Sequence, residues 1–359
     1  MKTDKKNQHY IPKFYLRNFS YKSNQKEIGL FNTGRNFFIQ RGPLKSQASK
    51  NFYYGEDGVL ENWLSEVEGE LATCIRNILE SKILPNKGSK DHIDLIAFAA
   101  ITDLRNPVSI DAIMERNEIM KRKLLELDPY ADTSKFVPDT SHEQNVKLSL
   151  SNIDGVIRLC SDLEFKLIIN RTDTSFITSD VPVVRYNQFL ERNNWPHGKT
   201  GFGAIGLQII IPLNPRISIF FYDPQIYNVG NKQNNYLEIN REDDIDQLNL
   251  LQILNCRNNL FFNEDIAEEY VSDLVLLSKQ FEKANIPFGN MHDLHGRSDK
   301  SLLLIMGETE CEINLKIKGV NVHSGASKVK FTDSVVMVRP HAIRMREFEK
   351  NLLRQRYKK

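Results

Sequence analysis

Apolar positions along this chain fall into stretches of two different periods. Over 59–81, Leu60, Trp63, Leu64, Val67, Leu71, Ile75 and Ile78 recur at helical spacing, with Glu61, Glu66, Glu68 and Glu70 largely on the rest of the surface. That spacing predicts an amphipathic helix with its glutamates in water. Residues 91–127 read as one long helix, apolar nearly all round over 93–104 and so central to the core. Pro107 removes a backbone donor and should kink or break it. Ser141 with Gln144 three residues on has the form of a capping box. The helix it opens carries Val146, Leu150, Ile153, Ile157 and Cys160 on one face.

The pattern then changes. Residues 165–170, 175–178, 207–211 and 217–222 are β-branched or aromatic runs bounded by Pro, Gly and Asp, which predicts strands. Residues 28–31 and 36–40, around Asn32-Thr33-Gly34-Arg35, predict a hairpin. Residues 187–203 are polar and read as an exposed loop. Helices return at 242–254 and 264–281, the second capped by Asn263 with Glu264 and Asp265 in its first turn. Residues 285–300 read as a linker, 302–306, 311–317 and 329–338 as strands, and the chain closes on a basic helix. The expected fold is α+β: a helical N-terminal half packed on a small mixed or antiparallel sheet, with a β-rich C-terminal region and a terminal basic helix. The expected domains are 1–285 and 286–359.

Residues 8–20 hold Tyr10, Phe14, Tyr15 and Phe19 beside His9, Pro12 and Asn18. So many large apolar groups predict a buried segment, bent at Pro12, with a short helix or turn over 14–19. Tyr10, Tyr15 and Phe19 should pack on helices that bury Trp63, Val67, Phe98 and Ile101. His9-x-x-Pro12 followed by Tyr15-Leu16-x-Asn18-Phe19 resembles the opening of the DUF4238 family of uncharacterised proteins. Leu104-Arg105-Asn106-Pro107 and Phe176-Ile177-Thr178-Ser179-Asp180-Val181-Pro182 are similar to later stretches of that family. The resemblance spans roughly the first two-thirds of the chain and implies no established reaction.

Composition narrows the class. With 359 residues, 40% hydrophobic and 26% charged, the chain is long enough for a core that needs no disulfide or metal staple. A net charge of +2 selects neither nucleic acid nor membrane as a partner. Cys74, Cys160, Cys256 and Cys311 are far apart, which predicts free thiols in a reducing cytosol. There is no signal-peptide h-region and no apolar run of about 18 residues, so a cytoplasmic protein without a membrane span is expected.

Several motif-like stretches lack the context their chemistry needs. His197-Gly198-Lys199-Thr200 ends like a phosphate-binding loop, but Asn193 stands where the first glycine belongs. Gly201-x-Gly203-x-x-Gly206 precedes a strand, whereas a dinucleotide fingerprint must open a helix. Glu164-x-Lys166 has the spacing of a metal-dependent nuclease strand, but reads better as a solvent-facing salt pair on an edge strand. His292-Asp293-x-His295 lies in a Gly- and Asn-rich stretch and reads as a turn rather than a metal site.

His9, Arg105 and Asp180 remain, each polar in an apolar context where it must find partners. As a structural set, Arg105 would pair with Asp180 and tie a kinked helix to a sheet. As a catalytic set, His9 would be a general acid/base and Arg105 would stabilise an anionic group. Asp180 would then orient the histidine or hold a divalent metal ion. Two functions follow from different classes. One is a hydrolase of a phosphate-containing substrate, nuclease-like. The other is a non-catalytic recognition or sensor protein in microbial defence. The C-terminal helix, with Arg344, Arg346, Lys350, Arg354, Arg356, Lys358 and Lys359, could contact nucleic acid or form a solvated face. Met345, Phe348 and Leu352 would dock it on the body.

Overall fold

In the computed structural model, residues 6–293, 302–331 and 336–356 are described. The chain enters as β1 (Asn7–His9), turns through Pro12 into the short helix α1 (Lys13–Arg17), and forms the expected hairpin β2 (Glu27–Asn32) and β3 (Phe37–Pro43). β4 (Ser49–Asn51) returns to pair with β1.

Helix α2 (Val59–Ser81) has the predicted span. Its buried stripe runs through Leu64, Leu71, Cys74, Ile75 and Ile78. Trp63 lies on the flank of that stripe and is 41% exposed, contrary to the sequence reading. The long helix breaks into α3 (Lys90–Leu104) and α4 (Pro107–Leu127). Pro107 occupies the first turn of α4, where its missing N–H costs nothing, and the Asn106 side chain caps that turn by accepting from the Ser109 N–H. Ser141 and Gln144 form the reciprocal capping box. The helix they open ends early, however, giving α5 (His142–Leu150) and α6 (Ile153–Cys160) in place of one element.

The second half supplies most of the sheet. Its elements are β5 (Glu164–Asn170), β6 (Thr178–Ser179), β7 (Val184–Tyr186), α7 (Gln188–Arg192), β8 (Gln208–Asn214), β9 (Ile217–Tyr222), β10 (Tyr227–Val229), β11 (Tyr236–Ile239), α8 (Glu242–Asn255) and β12 (Asn259–Phe262). They are followed by α9 (Glu268–Ser278), β13 (Pro287–Asp293), β14 (Leu302–Glu308), β15 (Val320–Val322) and α10 (Pro340–Arg356). A five-stranded sheet has the order β11-β5-β9-β8-β7, with only β11 and β5 parallel. A four-stranded antiparallel sheet has the order β3-β2-β12-β6. The fold is α+β.

The five-stranded sheet is buried on both faces, which explains why its strands read as unbroken apolar runs. Leu167, Ile169, Ile209, Ile219 and Phe221 pack with Tyr15, Leu64 and Phe98 on one side. Ile168, Ile210, Phe220 and Tyr222 face Leu248, Leu251, Leu315 and Ile317 on the other. Tyr10, Tyr15, Phe19, Phe98 and Ile101 are buried as expected, and the Tyr15 and Phe98 rings lie 5.7 Å apart.

Other sequence expectations change. The loop at 187–203 contains α7 and buries Phe189 and Leu190. Helix α9 starts four residues later than expected, and Asn263 does not cap it; its amide donates to Asp265 at 2.9 Å. Part of the expected linker is β13, paired with β14. Residues 311–317 form no strand, although Cys311, Leu315 and Ile317 are buried against the five-stranded sheet. Residues 332–335 of the expected strand at 329–338 lie outside the described residues, and Val338 makes one isolated bridge with Ala204. All four cysteines are free and buried.

Candidate functional site

Backbone contacts fix the N-terminal motif before any side-chain chemistry is considered. Gln8 is buried. Its Nε2 donates to the Gly55 carbonyl at 3.1 Å, and its Oε1 accepts from the Tyr54 N–H at 2.6 Å. The Tyr54 hydroxyl donates to the His9 carbonyl at 2.9 Å, and the Tyr10 N–H donates to Ala48 at 3.0 Å. His9 is thereby held in the wall of a cleft of about 570 Å³ that Lys6, Asn7, Lys13, Glu61 and Glu68 also line.

The His9 Nε2 lies 3.1 Å from the Lys45 carbonyl. A carbonyl only accepts, so the proton in this contact is on Nε2. Burial, with Lys13 and Arg105 nearby, pushes the imidazole down to about 4. His9 is therefore neutral at physiological pH, and its ring is a weak base that also lies beside the Asn7 backbone.

Arg105 sits at the corner between α3 and α4 with its side chain fully buried. Its Nη1 donates to Glu68 Oε1 at 2.7 Å, while Nε and Nη2 have no hydrogen-bond partner among the described residues. The Tyr53 hydroxyl donates to the Arg105 carbonyl at 2.8 Å. Glu68 lines the cleft, and Arg105 stands behind it.

Asp180 is not the partner of Arg105. It follows β6 and is also buried, but its carboxylate accepts the N–H groups of Arg257 at 2.7 Å and of Asn258 and Asn259 at 2.9 Å each. It closes the turn between α8 and β12. Burial pushes its carboxyl upward and the three amides pull the other way, with the net shift upward. Its charge reaches Tyr10, the neighbour of His9, but Asp180 does not line the cleft. The structure thus brings His9 and Arg105 together around Glu68 and gives Asp180 a different set of contacts.

The three motifs occupy β1–α1, the α3–α4 corner and β6. A family model described as a protein of unknown function, DUF4238, matches residues 7–265. The chain belongs to the DUF4238 family. The DUF4238 match contains every strand of the five- and four-stranded sheets, together with the cleft residues from Asn7 to Glu68. Elements α9, β13–β15 and α10 follow it. Comparison with curated proteins and with solved structures returns no match to this chain.

Sequence reasoning misses Glu68 because helical spacing puts it on the solvent face of α2. The signal is present in the need of Arg105 for a carboxylate, but the choice between Glu68 and Asp180 depends on how two helices cross. The Glu164-x-Lys166 pair is not a pair either. Glu164 binds Lys87 at 2.6 Å, while Lys166 turns inward to donate to the Asn231 carbonyl. β5 is also an interior strand of its sheet rather than an edge. Among the described residues no group of three or more His, Cys, Asp or Glu is placed to hold a metal ion, and His295 lies outside them. No described helix is long and apolar enough to cross a membrane.

The C-terminal helix docks differently from expectation. Ala342 is buried, Met345 is half-buried, and Glu349 pairs with Arg158 of α6 at 2.9 Å. Phe348 is 51% exposed, and the Leu352 side chain lies outside the described residues. Just before α10, buried Arg339 binds Asp162 and the carbonyls of Leu159, Phe202 and Ala204.

Proposed function

We propose that this chain is a hydrolase of a phosphate-containing substrate, of nuclease type, with its reaction centre in the cleft at His9. The observation that carries this reading is the neutral imidazole held by its backbone in the wall of an open cleft. A general base must be unprotonated at working pH and fixed within reach of the proton it takes. His9 accepts the proton of an attacking water or hydroxyl, and Lys6 and Lys13 attract the phosphate. Arg105 contributes charge from behind Glu68 and contacts a phosphate directly only where Glu68 releases Nη1. Asp180 acts as a positioning residue through the 257–259 turn and Tyr10.

Exposed Arg344, Arg346, Lys350 and Arg354 on α10 give a second phosphate-binding surface for a nucleic-acid substrate. Deleting residues 343–359 should weaken nucleic-acid binding and flatten its salt dependence by roughly one unit of slope for each phosphate that α10 neutralises. An unchanged slope assigns α10 to solubility.

A second reading, a non-catalytic recognition protein, is favoured by one specific observation. Arg105 and Asp180 are both already engaged by protein groups, so neither is free to act with His9. Screening the purified chain against nucleic acids, nucleotides and simple phosphate esters, with and without divalent ions, separates the two. Turnover supports the hydrolase, and saturable binding without turnover supports recognition.

A further inference from the structure

A second cavity, of about 620 Å³, lies away from His9, between the α3–α4 corner, β7, the loop at 197–202 and the β13–β14 hairpin. Its wall contains Asp103 and Arg185, with the rings of Phe202 and Phe288. Asp103 is 5% exposed and lines the cavity, and among the described residues Arg185 is the group that faces its carboxylate. Its ion pair with Arg185 Nε is a loose one, at 3.7 Å, and the Glu308 carboxylate also acts on it. Burial pushes its carboxyl upward. Arg185 gives Nη1 to the Thr200 carbonyl at 3.2 Å, and its guanidinium lies 4.9 Å from the centre of the Phe202 ring.

A carboxylate withdrawn into a cavity wall without a protein donor leaves its oxygens to water or to a ligand. The site offers two acceptor oxygens beside a guanidinium donor and next to an aromatic face. A matching ligand presents two N–H donors beside a carbonyl acceptor on one flat edge. Among the common nucleobases only guanine has that edge: N1–H and the 2-amino group can meet a carboxylate in a paired contact while O6 accepts from an arginine. The flat ring suits the Phe202 and Phe288 side chains. Arg116 also lines the cavity and is paired there with Glu308 at 3.1 Å.

We propose that this cavity is a binding site for a guanine nucleoside or nucleotide, recognised by Asp103 and Arg185. The site is separate from the His9 cleft, so the proposal does not depend on the hydrolase reading.

Isothermal titration calorimetry on the full chain tests it, with guanosine, inosine, adenosine, cytidine and uridine as probes. Guanosine should bind, inosine should bind at least about tenfold more weakly because it lacks the 2-amino donor, and adenosine should bind more weakly still. Asp103→Asn, which keeps the shape but turns one acceptor into a donor, should remove the guanosine preference. His9→Gln should retain it. Guanosine that fails to bind, nucleosides that bind alike, or an Asp103→Asn protein that binds guanosine as the parent does would each overturn the assignment. The guanosine–inosine comparison uses the unaltered chain, so the test stands even where a variant folds poorly.

Discussion

Replacing Glu68 with Ala should be among the most destabilising single changes in the helical half. Arg105 is fully buried, and Glu68 supplies its one hydrogen-bonded carboxylate, at 2.7 Å, while two of its donor nitrogens already lack partners. Removing the carboxylate leaves a buried cation uncompensated, a change that costs about 3–5 kcal/mol. The reverse perturbation is milder. Glu68 is 25% exposed, so in Arg105→Met its carboxylate can turn to water while methionine fills much of the volume. The double variant Glu68→Ala/Arg105→Met removes the isolated charge altogether and should be more stable than Glu68→Ala alone. Denaturant midpoints for the four proteins, compared at constant slope, measure this. A Glu68→Ala cost below about 1 kcal/mol, or a double variant no better than the single one, would refute the view that Glu68 neutralises a buried charge.

Further outcomes follow from the same contacts. Phe19→Ala should cost about 3–5 kcal/mol because the ring is fully buried against Tyr15, whereas Trp63→Ala should cost less than about 1 kcal/mol, and thermal melts rank the two. Asp180→Asn leaves a single acceptor oxygen for three amides and should lose about 2–3 kcal/mol, with hydrogen exchange accelerated at Asn258 and Asn259. His9 binds its proton less readily folded, at about 4, than at its ordinary value of 6.5. The stability this gives is present above pH 6.5 and lost as pH falls toward 4, because the unfolded chain takes up a proton that the folded chain refuses. The shift sets a ceiling of about 3 kcal/mol, which solvent screening reduces to roughly 1–2. His9→Gln should flatten the dependence of denaturant midpoint on pH in that window, and an unchanged dependence would contradict the lowered value.

Local periodicity reveals the longer helices because each carries its own signal, whereas the five-residue α7 and the break between α5 and α6 carry none. Helix α2 is legible end to end, and Pro107 with Asn106 marks the α3–α4 break. The strands with long apolar runs, β5, β8 and β9, are legible because both faces of their sheet are covered. β12 escapes: it is four residues long, and its central place between β2 and β6 comes from pairings distant in sequence. The site divides in the same way. His9 and Arg105 stand out as polar groups in apolar surroundings, but the partner of Arg105 depends on the crossing of α2 with the α3–α4 corner. Asp180 does close a bend, but not the one beside Val181-Pro182. The bend it closes lies in the 257–259 segment, which no local pattern connects to it. Asp103 carries no signal of its own, because a helix end is an ordinary place for an aspartate until a cavity opens beside it.

The most direct test of the hydrolase reading compares the parent chain with His9→Gln across pH on whichever phosphate ester or nucleic acid the parent cleaves. Turnover by the parent should persist well below pH 6.5, where an ordinary histidine would be protonated, and fall only as pH approaches 4. His9→Gln should remain folded and lose at least about a hundredfold in kcat, the usual contribution of a positioned general base. No cleavage of any phosphate substrate by the parent, or a folded His9→Gln protein that turns over at the parent rate, would contradict it.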